Sequence, residues 1–204
     1  MAATRTADET PRRPGGRSAR VRSAVLRATV EELVATGYAA LSLEGIARRA
    51  GVNKTTVYRR WGTRENLILE AMLDRGARQV PIPDTGALRS DLVAYGRAIV
   101  ASTAEPEVEA VVRAVASIGD DGSGLAAASR EFWAWRLEAA AEMVRRAVIR
   151  GEVRPGVDPA LVAEVLVAPI YFRLLMSRQH RDVGFVERVA DLVAALSAGS
   201  PHHG

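Results

Sequence analysis

Residues 42–61, SLEGIARRAGVNKTTVYRRW, decide the fold of this sequence. Apolar residues follow Ser42 at the spacing of one helical face, namely Leu43, Ile46, Ala47 and Ala50, so Ser42 is the expected N-cap of a helix. Gly51 supplies the permissive backbone that ends such a helix, and Asn53 is the expected N-cap of the next one. The stretch therefore predicts two short helices joined by a tight turn.

The second of these helices is unusually polar for a helix in a protein core. Val57 is its only aliphatic anchor and Trp61 closes it, while its other side chains are mostly hydrogen-bond donors: Lys54, Thr55, Thr56, Tyr58, Arg59 and Arg60. A short helix of this kind suits the major groove of DNA. The alternative is an ordinary helical corner with a solvated charged face. The two caps, the donors confined to one helix and an arginine-rich segment upstream favour DNA binding.

The segment from Arg22 to Leu73 resembles the N-terminal domain of the TetR family of transcriptional regulators. The resemblance rests on IARRAGVNKTTVYRRW (46–61) followed by TRENL (63–67). A weaker similarity, to the C-terminal domain of one branch of that family, lies in GEVRPGVDPALVAEVLVAPIYFRLL (151–175). The resemblance implies an all-α protein with a three-helix helix-turn-helix domain and linking helix at 18–80. A larger helical domain for ligand binding and dimerisation would follow at 81–199.

Individual roles at the DNA can be assigned as hypotheses. Lys54 and Thr55, in the first turn, are expected at base edges, where lysine donates to guanine and the threonine methyl meets thymine. Thr56, Tyr58 and Arg59 are expected at phosphates, although the Tyr58 ring can instead pack on the domain core. The resemblance adds two positions, Arg60 near bases or phosphates and Glu44 at a base-reading position. Ser42, the expected cap of the helix that carries Glu44, is a further candidate for DNA contact. Glu44 equally suits the positive N-terminus of its own helix.

Flanking segments contribute two more candidates for DNA contact. Thr63 is the expected cap of a helix from Arg64 to about Arg78, whose N-terminus and Arg64 side chain can meet a phosphate. Residues 1–17 are rich in Thr, Pro, Gly and Arg, which predicts a disordered basic arm containing Arg17. Such an arm either reaches DNA or is only a solvated tail; the sequence leaves both open.

The charge distribution supports a nucleic-acid partner. Residues 1–79 hold fifteen Lys or Arg against eight Asp or Glu, whereas the remaining residues hold thirteen against sixteen. The positive field therefore coincides with the segment expected to meet phosphates, and no basic amphipathic helix accompanies it to suggest a membrane surface.

The rest of the chain predicts helices throughout, and its last two are the most apolar. The helix from Pro159 to Gln179 is apolar nearly all round, and the helix from Val183 to Ala198 carries a broad apolar face. They are either a buried core pair or, as the resemblance implies, half of a four-helix bundle in a homodimer. Two recognition helices about 34–36 Å apart would read a palindromic operator.

An effector cavity is the second feature expected of the C-terminal domain. Aromatic residues cluster on the helix from Leu125 to Arg150 and on the next helix, and Pro169 can open space by removing a backbone hydrogen bond. Two faces of the long helix compete as the cavity wall, one with Trp133 and Leu137 and the other with Phe132 and Trp135. The candidate ligand contacts are Tyr95, Phe132, Trp133, Arg136, Leu137, Tyr171 and Phe172, all of which equally suit an ordinary core.

Several function classes are disfavoured by the sequence. The three histidines and the absence of HExxH, GxSxG and P-loop patterns argue against an enzyme, and no cofactor or metal site is indicated. The sequence contains no run of eighteen uncharged apolar residues, so we expect no membrane span. The absence of cysteine and of a signal peptide fits a cytoplasmic protein. The sequence predicts a dimeric DNA-binding transcriptional regulator responding to an unknown small-molecule effector, most simply a repressor. A sequence-neutral architectural DNA-binding protein and an activator of the same fold are the alternatives.

Overall fold

The computed structural model describes residues 15–116 and 124–198, and nine α-helices and one π-helical turn account for most of them. In chain order the elements are α1 (Gly15–Ala40), α2 (Leu43–Ala50), α3 (Lys54–Trp61), α4 (Arg64–Gln79), α5 (Leu88–Ala104), α6 (Pro106–Ala116), α7 (Gly124–Ile149), α8 (Pro159–Phe172), a π-helical turn (Arg173–Ser177) and α9 (Val183–Ser197). The predicted all-α fold, with an N-terminal helix-turn-helix domain and a larger helical domain, is confirmed.

The four predicted caps around the helix-turn-helix form as the sequence indicates. Ser42 Oγ accepts a hydrogen bond from Gly45 N at 3.1 Å, and Asn53 Oδ1 accepts one from Thr55 N at 2.9 Å. Thr63 Oγ1 does the same for the first turn of α4. Gly51 has φ 66° and ψ 32°, the left-handed conformation that ends α2. Local chemistry thus fixes the corner between α2 and α3.

Helix α1 starts earlier than expected. It begins at Gly15 rather than near Ser18, so Arg17 lies in its first turn and not in an arm. The rest of the predicted arm, residues 1–14, lies outside the described residues. At the other end Gly37 leaves the helix with φ 74° and ψ 168°, as expected of a residue that interrupts it. The inner face of α1 packs Val25, Ala28 and Leu33 into the core of the N-terminal domain.

The larger C-terminal domain has its own core between α5, α7, α8 and α9. Leu92, Met143, Leu166 and Ile170 are fully buried there. The long helix predicted from Pro159 to Gln179 is shorter, because α8 ends at Phe172 and a π-helical turn follows. Most of the loop predicted at 119–124 lies outside the described residues.

The helical stretch Pro159–Ser177 is long and apolar enough to cross a membrane, with a mean hydropathy of 1.7. Its inner residues, including Val162, Leu166 and Ile170, belong to the core formed with α5, α7 and α9. Glu164 and Arg173 interrupt it. Packing of this kind is typical of a core helix, for which a high hydropathy is equally expected.

Candidate nucleic-acid interface and adjoining cavity

Helix α3 is held against the N-terminal domain by two side chains. Val57 is fully buried and Trp61 nearly so, and both join the core built from α1, α2 and α4. Because these two residues are four apart, they lie on one side of the helix. The rest of the helix is left to solvent, and it exposes the side chains of Lys54, Thr55, Tyr58, Arg59 and Arg60.

A partly buried network fixes the direction in which this polar side points. Trp61 Nε1 donates to Glu70 Oε2 at 2.5 Å, and Arg22 Nε donates to Glu70 Oε1 at 2.6 Å. Arg22 also forms an ion pair with Asp74. One residue from α1 and one from α3 are thus tied to α4. This arrangement holds the polar side of α3 in a fixed orientation, which is what recognition in a groove requires.

Two of the predicted DNA contacts, Tyr58 and Glu44, bind each other in this structure. The Tyr58 hydroxyl donates to Glu44 Oε1 at 2.6 Å, and both side chains are exposed. The hydrogen bond from Tyr58 lowers the pKa of the Glu44 carboxyl, and Lys54 adds a smaller effect in the same direction. Glu44 is therefore an ionised hydrogen-bond acceptor beside the donors of α3. The Tyr58 ring lies outside the core, so the alternative of an inward-packed ring is wrong.

The interpretation of Arg64 as a phosphate contact does not fit its surroundings. Its Nη1 atom donates to the carbonyl oxygens of Tyr38 and Leu41, both at 3.1 Å, and its Nε atom donates to Glu65. The guanidinium carbon also lies 4.2 Å from the centre of the Tyr38 ring. The sequence pointed to an arginine at a helix N-terminus. The fold instead directs that side chain back to the end of α1.

The remaining DNA candidates differ in exposure. Arg60 lies over the Trp61 ring at 5.0 Å and makes a long hydrogen bond with Ser18. Arg17 is exposed in the first turn of α1, whereas Thr56 is half-buried. The half-buried Ser42 has its hydroxyl oxygen engaged in the cap of α2. Exposed donors on α3 and at the start of α1 thus form the candidate surface, which we call the basic face.

A cavity of about 360 Å³ lies where the two domains meet. Its walls come from α1, α4, α5, α6, α7 and α8. Helix α4 therefore lines the cavity, and through Glu70 it also holds α3 in place. The lining is mainly apolar. A few polar groups interrupt it: Arg75, Gln79, Tyr95, Ser102, Thr103, Ser129, Arg136 and Tyr171. Volume and lining match those of small-molecule sites.

Six of the seven predicted ligand contacts line this cavity, namely Tyr95, Phe132, Trp133, Arg136, Leu137 and Tyr171. The seventh, Phe172, does not: it is 58% exposed on the outer surface. Successive residues of a helix point about 100° apart, so an inward Tyr171 turns its neighbour outward. Whether any of the six binds a ligand stays a prediction.

The division of α7 into two competing faces was wrong. Ser129, Phe132, Trp133, Arg136 and Leu137 all line the cavity, because this spacing of three and four residues makes a single stripe. Trp135, assigned to the face of Phe132, is 43% exposed. One turn further along, Ala140, Met143 and Val144 are buried in the core.

Sequence reasoning missed the contribution of α4 to the cavity. Arg75 and Gln79 line it from the side of the DNA-binding domain. The available signal was Gly76 inside α4: a Cβ there would lie 3.6 Å from the Phe132 ring and 3.7 Å from Arg136 Cδ. A glycine within a helix can mark close packing. Both distances here are ordinary van der Waals contacts, so α4 and α7 pack against each other at this position.

The fold and the basic face define a helix-turn-helix DNA-binding protein, and comparisons with known proteins agree. Residues 25–71 match the family of bacterial regulatory proteins called tetR, and residues 82–193 match the tetracyclin repressor-like C-terminal domain. The chain belongs to the TetR family of transcriptional regulators, and it is a DNA-binding transcriptional regulator.

Individual relatives give the same result. The HTH-type transcriptional regulator AqdR of Rhodococcus erythropolis is 37% identical over 150 residues, covering 74% of this chain and 72% of its own. The DNA-binding transcriptional repressor TetR of Mycobacteroides abscessus is 28% identical over 83% of this chain and 89% of its own. The crystal structure of the TetR family transcription regulator SCO0332 superimposes with a TM-score of 0.73 at 32% identity, covering 86% of this chain and 97% of that one.

Proposed function

We propose that this protein is a homodimeric repressor that reads a palindromic operator and releases it when a small molecule enters the cavity between its domains. The observation that carries the proposal is the shared use of α4. This helix holds the recognition helix through Glu70 and lines the cavity through Arg75 and Gln79. A ligand that changes the cavity therefore acts on the element that positions the basic face.

An exposed apolar stripe on the C-terminal domain supports the homodimer. On α8 and the following turn, Leu161, Val165, Phe172 and Met176 are exposed at helical spacing, and on α9, which packs against α8, Leu192 and Leu196 are exposed as well. Large apolar residues in one contiguous patch mark an association surface. A second copy of this chain is the occupant we propose, because a symmetric pair supplies an identical stripe and two recognition helices for a palindrome.

The effector acts by differential affinity. It binds more tightly to a dimer whose recognition helices are wrongly spaced for the operator, since only a difference in affinity between two states shifts their equilibrium. We propose repression because a protein bound at an operator acts most simply by excluding RNA polymerase. The repressor named among the relatives supports the same choice. Such a protein works in the cytoplasm, where bacterial DNA is found.

A reporter assay tests the sign of regulation. A promoter that overlaps a selected binding site is placed before a reporter, and the protein is supplied from a second promoter. We expect transcription to fall at least tenfold and to recover with the R59A variant, which lacks the phosphate contact proposed for Arg59. Higher transcription would identify an activator instead. Binding without any change in transcription would favour an architectural protein.

A further inference from the structure

Two arginines line the cavity, and they differ in whether a carboxylate balances their charge. Arg75 is neutralised: Nη2 lies 2.6 Å from Glu105, Nη1 lies 3.4 Å from Glu107, and Nε donates to Gln79. Arg136 forms no ion pair with any carboxylate of residues 15–116 or 124–198, although it is only 6% exposed. Its hydrogen bonds go to neutral groups.

The contacts of Arg136 leave much of its guanidinium unused. Nη2 donates to the Val80 carbonyl oxygen at 3.0 Å and to the Tyr95 hydroxyl at 2.7 Å. Nε and Nη1 have no hydrogen-bond partner among the described residues. An arginine carries five N–H donors in a fixed planar fork, and burial of its charge without an anion is costly. The guanidinium therefore keeps N–H donors free for a ligand.

A second polar group faces the same space. The Tyr171 hydroxyl makes no hydrogen bond with any described residue, and its ring is fixed edge-on against Trp133, with centroids 4.9 Å apart. Burial raises the pKa of Tyr171 to about 12. The hydroxyl is therefore protonated at neutral pH and available to donate. Around these two donors the walls are apolar, with Ile99, Leu137 and Val167 among them.

We propose that the effector is a mainly apolar organic acid that binds as its anion, with the carboxylate on Arg136 and Tyr171 and the apolar body among the aliphatic and aromatic walls. A carboxylate matches the guanidinium fork and forms charge-assisted hydrogen bonds roughly twice as strong as neutral ones. The proposal rests on the proposed function in one respect, namely that this cavity is the effector site.

The position of Arg136 also explains how such an anion is sensed. Val80 is the residue that ends α4, and its carbonyl oxygen is one of the two acceptors that Arg136 holds. An anion that binds the free Nε and Nη1 donors draws the guanidinium towards itself and away from this neutral carbonyl, because charge-assisted hydrogen bonds are the stronger ones. Binding therefore weakens the attachment of the end of α4 to α7, at the junction of the two domains.

Matched acid and neutral probes test the proposal. Decanoate is compared with decan-1-ol, and 2-naphthoate with 2-naphthamide, by calorimetric titration of the full-length protein. We expect at least one acid to bind ten or more times more tightly than its neutral partner. R136M should abolish that preference, R136K should retain part of it, and Y171F should weaken the acid several-fold. R145M removes an exposed arginine of the same helix and should leave the preference intact.

The outcomes separate this inference from the proposed function. Equal affinity for acids and neutral partners, no acid binding up to millimolar concentration, or unchanged acid binding by R136M would each overturn it. If R136M does not fold, judged by thermal melting, R136K and Y171F carry the comparison, and acid affinities equal to wild type in both would overturn it. Acid binding without release of operator DNA leaves the inference standing and contradicts the effector role. Release of operator DNA by a neutral compound, and by no acid, would support the effector role of the cavity and contradict the inference.

Discussion

Arg64 Nη1 donates to the carbonyl oxygen of Leu41 at 3.1 Å, and this bond links the start of α4 to the segment between α1 and α2. It accompanies the bond to the Tyr38 carbonyl and the contact of the guanidinium with the Tyr38 ring. Tyr38 lies in the last turn of α1 and Leu41 follows that helix, where backbone donors for carbonyl groups run out. The Tyr38 oxygen has one backbone donor, Leu41 N at 3.2 Å, and Arg64 gives both oxygens a charged donor. Arg64 is thus part of the framework that orients the basic face.

Replacing Arg64 should therefore cost stability before it costs DNA contacts. We expect R64A to lower the free energy of unfolding by about 1–3 kcal/mol, since charged hydrogen bonds to backbone carbonyls are lost. R59A, the matched control on the exposed face of α3, should stay within about 0.5 kcal/mol of wild type. Chemical denaturation measures both. Equal stability of the two variants would refute the framework role of Arg64.

The exposed residues of α3 should divide into two groups when their DNA binding is compared. K54A and T55A should relax sequence preference, because they remove the contacts to base edges that we propose for these two residues. R59A should weaken all duplexes about equally and reduce the slope of log affinity against log salt by about one. Fluorescence anisotropy on a selected site and a scrambled site, at three salt concentrations, distinguishes them. A uniform loss in all three variants would contradict the division.

The single aliphatic anchor of α3 should matter for stability. Val57 is fully buried, so V57A leaves a cavity and should destabilise the N-terminal domain by roughly 2 kcal/mol. V34A, at a position on α1 that is 43% exposed, is the control and should change little. Calorimetry should show the loss in the transition of the N-terminal domain. An unchanged melting profile for V57A would mean that α3 is held by Trp61 alone.

Acid should weaken the cluster formed by Tyr38, Arg64 and Glu65. Burial alone raises the pKa of the Glu65 carboxyl, but hydrogen bonds from Tyr38, its own backbone N–H and Arg64 outweigh this and lower it. The native state therefore binds its proton less readily than the unfolded state. The resulting stability is present above the ordinary value of 4.5 and is lost as pH falls through the lower native value.

E65Q isolates this effect. Its melting temperature should lie below that of wild type at pH 7, and the gap should narrow as pH falls below about 4.5. Melting curves between pH 7 and pH 3 measure the gap. A gap that is constant across this range would show that the ionised Glu65 carboxylate contributes no stability.

A charge in the exposed apolar stripe should separate the proposed dimer. L192E places a carboxylate where two copies would meet, whereas L192A keeps the surface apolar. Sedimentation velocity should show a monomer for L192E and a dimer for wild type and L192A. Since Leu192 is exposed in the single chain, the monomer should keep its helical circular dichroism. A monomeric wild-type protein would contradict the proposal.

The sequence was sufficient for the elements whose determinants are local. Ser42, Gly51, Asn53 and Thr63 set their helix boundaries through hydrogen bonds or backbone conformation within a few residues. The exposed donors of α3 followed from the same local pattern. Contacts between distant segments were not accessible in this way.

Where the sequence failed, tertiary packing decided. The direction of the Arg64 side chain depends on carbonyl groups more than twenty residues away. The cavity wall on α7 depends on which helices face it, so Phe172 and Trp135 could not be assigned from aromatic spacing alone. The approach of α4 to α7 at Gly76 likewise needs both helices in place.

The most direct test of the central claim is in vitro selection of randomised duplex DNA by the full-length protein at fixed, near-physiological salt. The account predicts enrichment of a palindrome with half-sites about one helical turn apart, because two basic faces in a symmetric dimer read it together. Failure to enrich any sequence, with affinity that depends only on salt, would contradict a sequence-reading dimer and favour an architectural DNA-binding protein.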